Sequence, residues 1–161
     1  MKKIRYIFAD IDGVLTDGTV RLDETGHESK SISYRDLDAI DIGRKGGLEF
    51  AFVTGEDTPI AHFIAQRFDI KYSIFGAKDK AYAVRTLLKE LAVPAEEICY
   101  IGDSERDVPA IRLAGFGATV CNGVLVAQHT ADYVTKCAGG AGALLELVKT
   151  IVDRNGEGKR E

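Results

Sequence analysis

Apolar and polar positions along this chain predict strands and helices in alternation. Short apolar runs of strand length are followed by longer segments with apolar residues at helical spacing. The predicted strands are 4–9, 48–53, 71–75, 98–101, 116–120 and 132–135. The predicted helices are 36–45, 58–68, 79–91, 106–114, a short helix from 124, and 141–152. Such alternation indicates an α/β fold that is Rossmann-like, with a mainly parallel sheet between two layers of helices.

One segment departs from this alternation. Residues 19–22 and 27–34 have the period-two pattern of strands and flank a turn at 23–26, which predicts a β-hairpin insertion at about 18–34. Residues 1–152 are expected to form a single domain that contains this hairpin. The polar, glycine-bearing residues 153–161 are expected to form a flexible tail.

Composition and charge narrow the class of protein. No apolar run of the 161 residues approaches the roughly 20 that span a bilayer, and the N-terminus lacks a signal-peptide pattern. We therefore expect a cytoplasmic protein with no membrane segment. The net charge is −4 and the basic residues are scattered, which argues against nucleic acid as a partner. Cys99, Cys121 and Cys137 lack metal-binding spacing and are expected to be reduced thiols.

Residues whose side chains or backbone groups can take part in catalysis or ligand binding follow several of the predicted strands. They are Asp10 and Asp12, Thr54 and Gly55, Lys80 at the start of a helix, and Asp103 with Asp107. Because parallel strands end at the same edge of a sheet, we expect these groups to converge there. The donor atoms are oxygens, without His or Cys, which favours Mg²⁺ over zinc.

This set suits the chemistry of phosphate esters. Asp10 is the first acid past the strand and is the predicted nucleophile, which would form an aspartyl-phosphate. Asp12 is the predicted general acid and then general base. Unit charges 4 Å apart interact with about 4 kcal/mol at an effective dielectric constant of ~20. A doubly charged ester would therefore need a divalent cation among these acids. Thr54, Gly55 and Lys80 are expected to bind the phosphoryl group.

The order of the motifs resembles the haloacid dehalogenase superfamily. Within it, the chain is similar to the capless 3-deoxy-manno-octulosonate 8-phosphate phosphatases and the related nonulosonate 9-phosphate phosphatases. The segments that carry this resemblance are 10–18, 35–36, 77–80, 100–103 and 139–143, and it covers roughly residues 3–152. It implies a magnesium-dependent phosphatase whose substrate is a small phosphorylated sugar acid.

The resemblance also implies roles and an assembly. The Asp10 and Asp103 carboxylates and the Asp12 backbone carbonyl would be the magnesium ligands, with Asp107 as a supporting acid. Lys80, rather than the neighbouring Lys78, matches the position of the family's lysine. The family's hairpins pack four copies together, which implies a homotetramer with each active site near a subunit interface.

Some positions depart from the family pattern. Glu56 stands where octulosonate-type relatives usually carry Arg, whereas nonulosonate-type relatives can have Glu. Arg67, on the helix that follows, is a candidate to meet a substrate carboxylate, with a surface arginine as the alternative. Ala141 and Leu145 occupy positions that are often basic. We therefore expect intact catalytic machinery and altered specificity.

Two other functions fit parts of the pattern. A receiver domain also combines an α/β fold with acids, Thr and Lys, but its phosphorylated acid ends the third strand, where this chain has Phe75 and Gly76. The other is a non-catalytic oligomerisation module, like the phosphatase-like domain of animal sialic acid cytidylyltransferases. Such modules tend to lose the nucleophile, whereas Asp10 is retained here.

Overall fold

The computed structural model describes residues 2–157, and of Glu157 only the backbone. Six strands form its central sheet: β1 (Tyr6–Ala9), β4 (Glu49–Val53), β5 (Tyr72–Ile74), β6 (Ile98–Gly102), β7 (Phe116–Thr119) and β8 (Tyr133–Val134). Two shorter strands, β2 (Arg21–Leu22) and β3 (Glu28–Ser29), pair antiparallel as a separate hairpin. The sheet order is β5-β4-β1-β6-β7-β8, and every neighbouring pair is parallel.

In the described chain, five helices lie in the connections between strands of the sheet and a sixth follows β8. They are α1 (Tyr34–Lys45), α2 (Pro59–Arg67), α3 (Lys80–Leu91), α4 (Val108–Leu113), α5 (Leu125–Thr130) and α6 (Ala143–Glu157). From β1 the chain builds the sheet outward through β4 and β5, and then on the other side through β6, β7 and β8. The direction of winding therefore changes beside β1. In open α/β sheets the crevice at the carboxyl ends of such strands binds ligands.

Two hydrophobic cores lie on opposite faces of the sheet, because successive residues of a strand point to opposite faces. In β4, Phe50 and Phe52 join the core that contains buried residues of α1, α2 and α6. Ala51 and Val53 join the core that contains buried residues of α3, α4 and α5. This arrangement confirms the predicted α/β fold with helices on both faces.

The predicted boundaries differ from the observed ones at two places. The hairpin ladder is only two residues long on each side, shorter than the strands predicted at 19–22 and 27–34. The prediction of a flexible tail from residue 153 is wrong for 153–157, which continue α6. There the Asn155 side chain donates to the Ile4 carbonyl oxygen (2.8 Å) and accepts from the Ile4 N–H (3.1 Å). The rest of the predicted tail, 158–161, lies outside the described residues.

Asp36 belongs to the motif at residues 35–36, and its side chain links α1 to α6. It is fully buried, and its carboxylate accepts hydrogen bonds from the N–H groups of Gly142 (3.0 Å), Leu144 (2.9 Å) and Leu145 (3.2 Å). N–H groups at the start of a helix have no partner within the helix. Burial raises the pKa of Asp36, and these hydrogen bonds oppose that rise. The Asp of this motif therefore supports the fold.

Within residues 2–157, no helix is both long enough and apolar enough to traverse a bilayer.

Candidate active site

A cleft of about 390 Å³ opens at the carboxyl ends of the central strands. That volume lies within the range of small-molecule sites. The cleft is lined by Asp10, Asp12, Gly18, Thr54, Gly55, Glu56, Lys80, Asp103, Ser104, Glu105 and Arg106. The topology thus brings together nearly all of the residues that the sequence singled out.

Lys80 is the first residue of α3 and is buried in the floor of the cleft. Its Nζ lies 2.8 Å from Asp10 Oδ2 and 3.2 Å from Asp107 Oδ1, and it donates to the Val53 carbonyl oxygen at 2.8 Å. Partners on three different segments therefore hold this cation in place. Lys78, the competing candidate, is exposed and takes no part in this network.

Asp10 comes directly after β1 and is buried. Its N–H donates to the Ile101 carbonyl oxygen (3.0 Å), which extends the β1–β6 pairing, and its Oδ1 accepts from the Ile11 N–H (2.8 Å). Burial raises the pKa of Asp10 to about 7, against the opposing effect of Lys80, and the charge of Asp107 adds to the rise. The Asp10 carboxylate therefore carries a charge that the surrounding protein compensates only in part.

Asp107 is fully buried and both of its oxygens are engaged. Oδ1 accepts from the Tyr100 hydroxyl (2.6 Å), while Oδ2 accepts from the Ser104 hydroxyl (2.6 Å), the Ser104 N–H (3.0 Å) and the Asp103 N–H (3.2 Å). Burial acts to raise the pKa of Asp107, but Lys80 and these hydrogen bonds outweigh it and lower the pKa. Because both of its carboxylate oxygens already accept hydrogen bonds, Asp107 is suited to positioning Lys80 and the Asp103 backbone.

Asp103 differs from Asp107 because, within the described chain, its half-buried carboxylate accepts no hydrogen bond from another residue. Burial raises its pKa to about 6, and the charge of Asp107 contributes to the rise. Gly13, with φ of +81°, lies so close that a Cβ there would collide with the Asp103 carboxylate. Glycine at that position lets the loop after β1 approach Asp103.

These acids fit a divalent cation. Asp10, Asp103 and Asp107 each offer a carboxylate oxygen, and the three oxygens lie within 4.8 Å of one another. Oxygen-only donors are what Mg²⁺ prefers. The incompletely compensated charge of Asp10 and Asp103 is what a bound cation would neutralise.

Asp12 has a partner that the sequence did not reveal. Lys30, which follows β3 of the hairpin, places its Nζ 2.7 Å from Asp12 Oδ1, and its side chain is largely buried. Lys30 also lines a second cleft of about 300 Å³ that shares Asp12, Gly18 and Glu56 with the first. The only signal in the sequence was the insertion of the hairpin next to the acid pair.

The phosphate-binding candidates lie at the end of β4. Thr54 is buried, and its Oγ1 accepts from the Glu56 N–H at 3.2 Å, which leaves its hydroxyl proton free to donate. Gly55 and Glu56 both line the main cleft, with the Glu56 side chain at the boundary between the two clefts.

Arg67 does not reach this cleft within the chain. It is the last residue of α2 and lines a separate depression of about 450 Å³ beside α1. The nine residues of α2 rise about 1.5 Å each, which carries Arg67 away from the carboxyl edge of the sheet. The cleft contains a different arginine, Arg106, which the sequence analysis missed although it lies between Asp103 and Asp107.

The glycine-rich segment 139–142 packs against the loop that follows β1 and carries Asp10 and Asp12. The Gly140 N–H donates to the Val14 carbonyl oxygen at 3.0 Å, and a Cβ on Gly139 would collide with the Gly13 carbonyl oxygen. The two altered positions in or near this segment, Ala141 and Leu145, do not line the main cleft.

Comparison with known proteins agrees with this geometry. Residues 75–145 match the haloacid dehalogenase-like hydrolase family. The chain is 31% identical to the 3-deoxy-D-manno-octulosonate 8-phosphate phosphatase of Haemophilus influenzae, over 98% of this chain and 87% of that protein. It is 30% identical to the phosphatase of the same name from Escherichia coli K12, over 97% of this chain and 83% of that protein.

Solved structures show the same similarity. The 3-deoxy-D-manno-octulosonate 8-phosphate phosphatase of Moraxella catarrhalis, in complex with a magnesium ion, a phosphate ion and a KDO molecule, matches with a TM-score of 0.89 and 32% identity, covering 93% of this chain and 86% of that one. The cobalt-bound phosphatase of H. influenzae matches with a TM-score of 0.91 and 32% identity, covering 96% and 90%.

Fold, site and sequence identity therefore agree on one class. The chain belongs to the haloacid dehalogenase-like hydrolases, in the family of the 3-deoxy-D-manno-octulosonate 8-phosphate phosphatases. It is a hydrolase of phosphoric monoesters, as the resemblance of its motifs implied.

Proposed function

We propose that this chain is a magnesium-dependent phosphatase of a sugar-acid phosphate, of the octulosonate 8-phosphate or nonulosonate 9-phosphate type. The observation that carries the proposal is the buried Asp10–Lys80 pair (2.8 Å) beside Asp103, in a cleft at the carboxyl edge of the sheet. The names of the relatives favour the octulosonate acid. Glu56 in the cleft favours the nonulosonate acid.

The proposed magnesium ligands are the carboxylates of Asp10 and Asp103 and the backbone carbonyl of Asp12. When bound, the cation would neutralise charge on the phosphoryl oxygens. The cluster of three carboxylate oxygens supports this assignment, as does the magnesium ion in the M. catarrhalis relative. Asp107, whose oxygens are already hydrogen-bonded, would act as the supporting acid.

In the proposed reaction, an Asp10 carboxylate oxygen attacks phosphorus and the bond to the sugar oxygen breaks. Asp12, in its acid form, gives its proton to that leaving oxygen, so an aspartyl-phosphate and the free sugar acid result. Asp12 then takes a proton from water as the water oxygen attacks phosphorus. This second step releases inorganic phosphate and restores the Asp10 carboxylate. The Thr54 hydroxyl and the Gly55 N–H would hold the phosphoryl oxygens throughout, and the positive charge of Lys80 would attract them.

Hydrolysis of p-nitrophenyl phosphate tests the catalytic part of the proposal. Activity should require Mg²⁺, disappear in excess chelator, and return when the metal is restored. Asp10→Asn should lower kcat by at least about 10³-fold, because it removes the nucleophile. Asp41→Asn, an exposed acid on α1, is the matched control and should leave kcat unchanged. Turnover by Asp10→Asn at near the original rate would refute the mechanism.

Substrate class is tested by comparing kcat/KM across a panel. Octulosonate 8-phosphate and nonulosonate 9-phosphate would be measured beside simple pentose and hexose phosphates. A preference of tenfold or more for either acid supports the proposal. Equal kcat/KM for acids and neutral sugars would contradict it. A chain inactive on every phosphate would instead fit the non-catalytic module, although the retained Asp10, Lys80 and Asp103 argue against that alternative.

We further propose that the chain assembles as a homotetramer through its hairpins. The support from the chain itself is the exposure of two apolar hairpin side chains, Val20 (44% exposed) and Leu22 (65% exposed). A second copy would cover these side chains and the short edges of the ladder. The active cleft lies beside the hairpin, so the proposed interface would also lie near each active site.

A further inference from the structure

Arg106 is a cation of the active cleft that forms no ion pair with any carboxylate of the described residues. Two basic residues line the main cleft, Lys80 and Arg106. Lys80 is already held by Asp10 and Asp107. In the described part of the chain, none of the ion pairs or side-chain hydrogen bonds involves Arg106. Its exposed guanidinium therefore keeps its donors available for a ligand.

The backbone beneath Arg106 is firmly placed. Arg106 belongs to the 3₁₀ turn Glu105–Asp107, in which the Ser104 and Asp107 side chains each hydrogen-bond to the backbone of the other residue. The buried Asp107 anchors one end of the turn through Tyr100. From this base the Arg106 side chain extends across the cleft, where its Nη1 comes within 3.9 Å of the point that a Cβ on Gly55 would occupy.

The charges in the cleft explain why a second cation matters. Five acids line it: Asp10, Asp12, Glu56, Asp103 and Glu105. A sugar-acid phosphate brings two anionic groups, the phosphoryl group and a carboxylate. In the proposed function Lys80 serves the phosphoryl group, so the carboxylate would meet mainly negative charge unless another cation receives it. The planar guanidinium of an arginine can donate two parallel N–H···O hydrogen bonds to one carboxylate.

We propose that Arg106 binds the carboxylate of the sugar-acid substrate and so determines the enzyme's preference for acids. Arg67, which the sequence suggested for this role, lines a different depression. The inference rests on the proposed function, because it requires a phosphorylated sugar acid in the cleft. It adds a specificity residue that lies between the two acids of a family motif, at a position the motif itself leaves open.

The test compares two substrates that differ in the carboxylate. For each variant, kcat/KM is measured on octulosonate 8-phosphate and on ribose 5-phosphate, which has no carboxylate. In Arg106→Gln the ratio of acid to neutral kcat/KM should fall about tenfold or more, mainly through the KM of the acid. Arg106→Lys should recover part of the ratio, because it keeps the positive charge but cannot donate two parallel hydrogen bonds from a planar group. Arg112→Gln, an exposed arginine on α4, is the matched control and should keep the original ratio.

Product binding gives a readout that does not depend on turnover. Calorimetry would measure the Kd of the free sugar acid and of inorganic phosphate. Weaker binding of the sugar acid to Arg106→Gln, with phosphate binding retained, supports the inference. An unchanged Kd for the sugar acid, or weaker binding of phosphate alone, overturns it and assigns Arg106 to another role. That result is distinguishable from a failure of the proposed function, in which the original protein hydrolyses no phosphate or shows no preference for acids over neutral sugars.

Discussion

Asp36→Ala should destabilise the fold, because it removes the acceptor for three N–H groups at the start of α6. Two of these hydrogen bonds, to Gly142 and Leu144, are buried, and the one to Leu145 is partly buried. Loss of a helix cap costs about 0.5–2 kcal/mol, and each buried donor left unpaired costs about 1–3 kcal/mol. Some of this is offset, because burial of the carboxylate is itself unfavourable and raises the Asp36 pKa. We expect a net loss of about 3 kcal/mol, within the sum of these terms.

Urea unfolding followed by circular dichroism measures this loss. Protein concentration must be constant, because assembly would couple to stability. For a domain of this size the same loss lowers Tm by about 6–12 °C. Asp36→Asn keeps one acceptor oxygen and should lose about half as much. Ser33→Ala, which removes the cap of α1, is the comparison and should cost about 1 kcal/mol. The reasoning fails if Asp36→Ala is no less stable than Ser33→Ala.

Two further predictions concern the metal and the assembly. Asp103→Asn should weaken Mg²⁺ binding at least about tenfold in calorimetric titration, because it removes one charged ligand. The circular dichroism spectrum should stay unchanged, which shows that the fold is intact. Equal affinity of the variant and the original protein for Mg²⁺ would exclude Asp103 as a ligand. Light scattering should give a mass of about four chains, and Leu22→Asp, which places a charge on the hairpin surface, should dissociate the assembly; a monomeric original protein would refute the hairpin interface.

Much of the fold followed from local patterns. Each predicted strand of the sheet and each predicted helix is present, because the buried strands of a parallel sheet give continuous apolar runs that differ from helical spacing. The errors lie where the apolar pattern weakens. The segment 153–157 has a polar composition, but Asn155 gains hydrogen bonds to Ile4, and that contact joins opposite ends of the chain.

Some residues of the site could likewise be predicted from local patterns in the sequence, and others could not. Asp10, Thr54 and Asp103 could be placed from the sequence, because each directly follows a strand and the ends of parallel strands share one edge. Lys30 could not be placed, because its contact with Asp12 depends on how the hairpin folds back over the cleft. Arg67 was suggested from its charge and its place on the helix that follows Glu56, and within the chain the direction of α2 carries it to a separate depression. Arg106 shows that a side chain inside a motif can be overlooked when the motif is searched only for its acids.

The hairpin has a consequence for how the enzyme responds to heat. Its ladder holds two residues on each side, and all four of them are exposed, whereas the sheet lies between two apolar cores. Segments with so few buried contacts open at a lower free energy than the body of a domain. When the hairpin opens, Lys30 leaves Asp12 and one wall of the second cleft is lost. On warming, a chain whose hairpin is not covered by a second copy should therefore lose the Lys30–Asp12 contact at temperatures where the sheet is still folded.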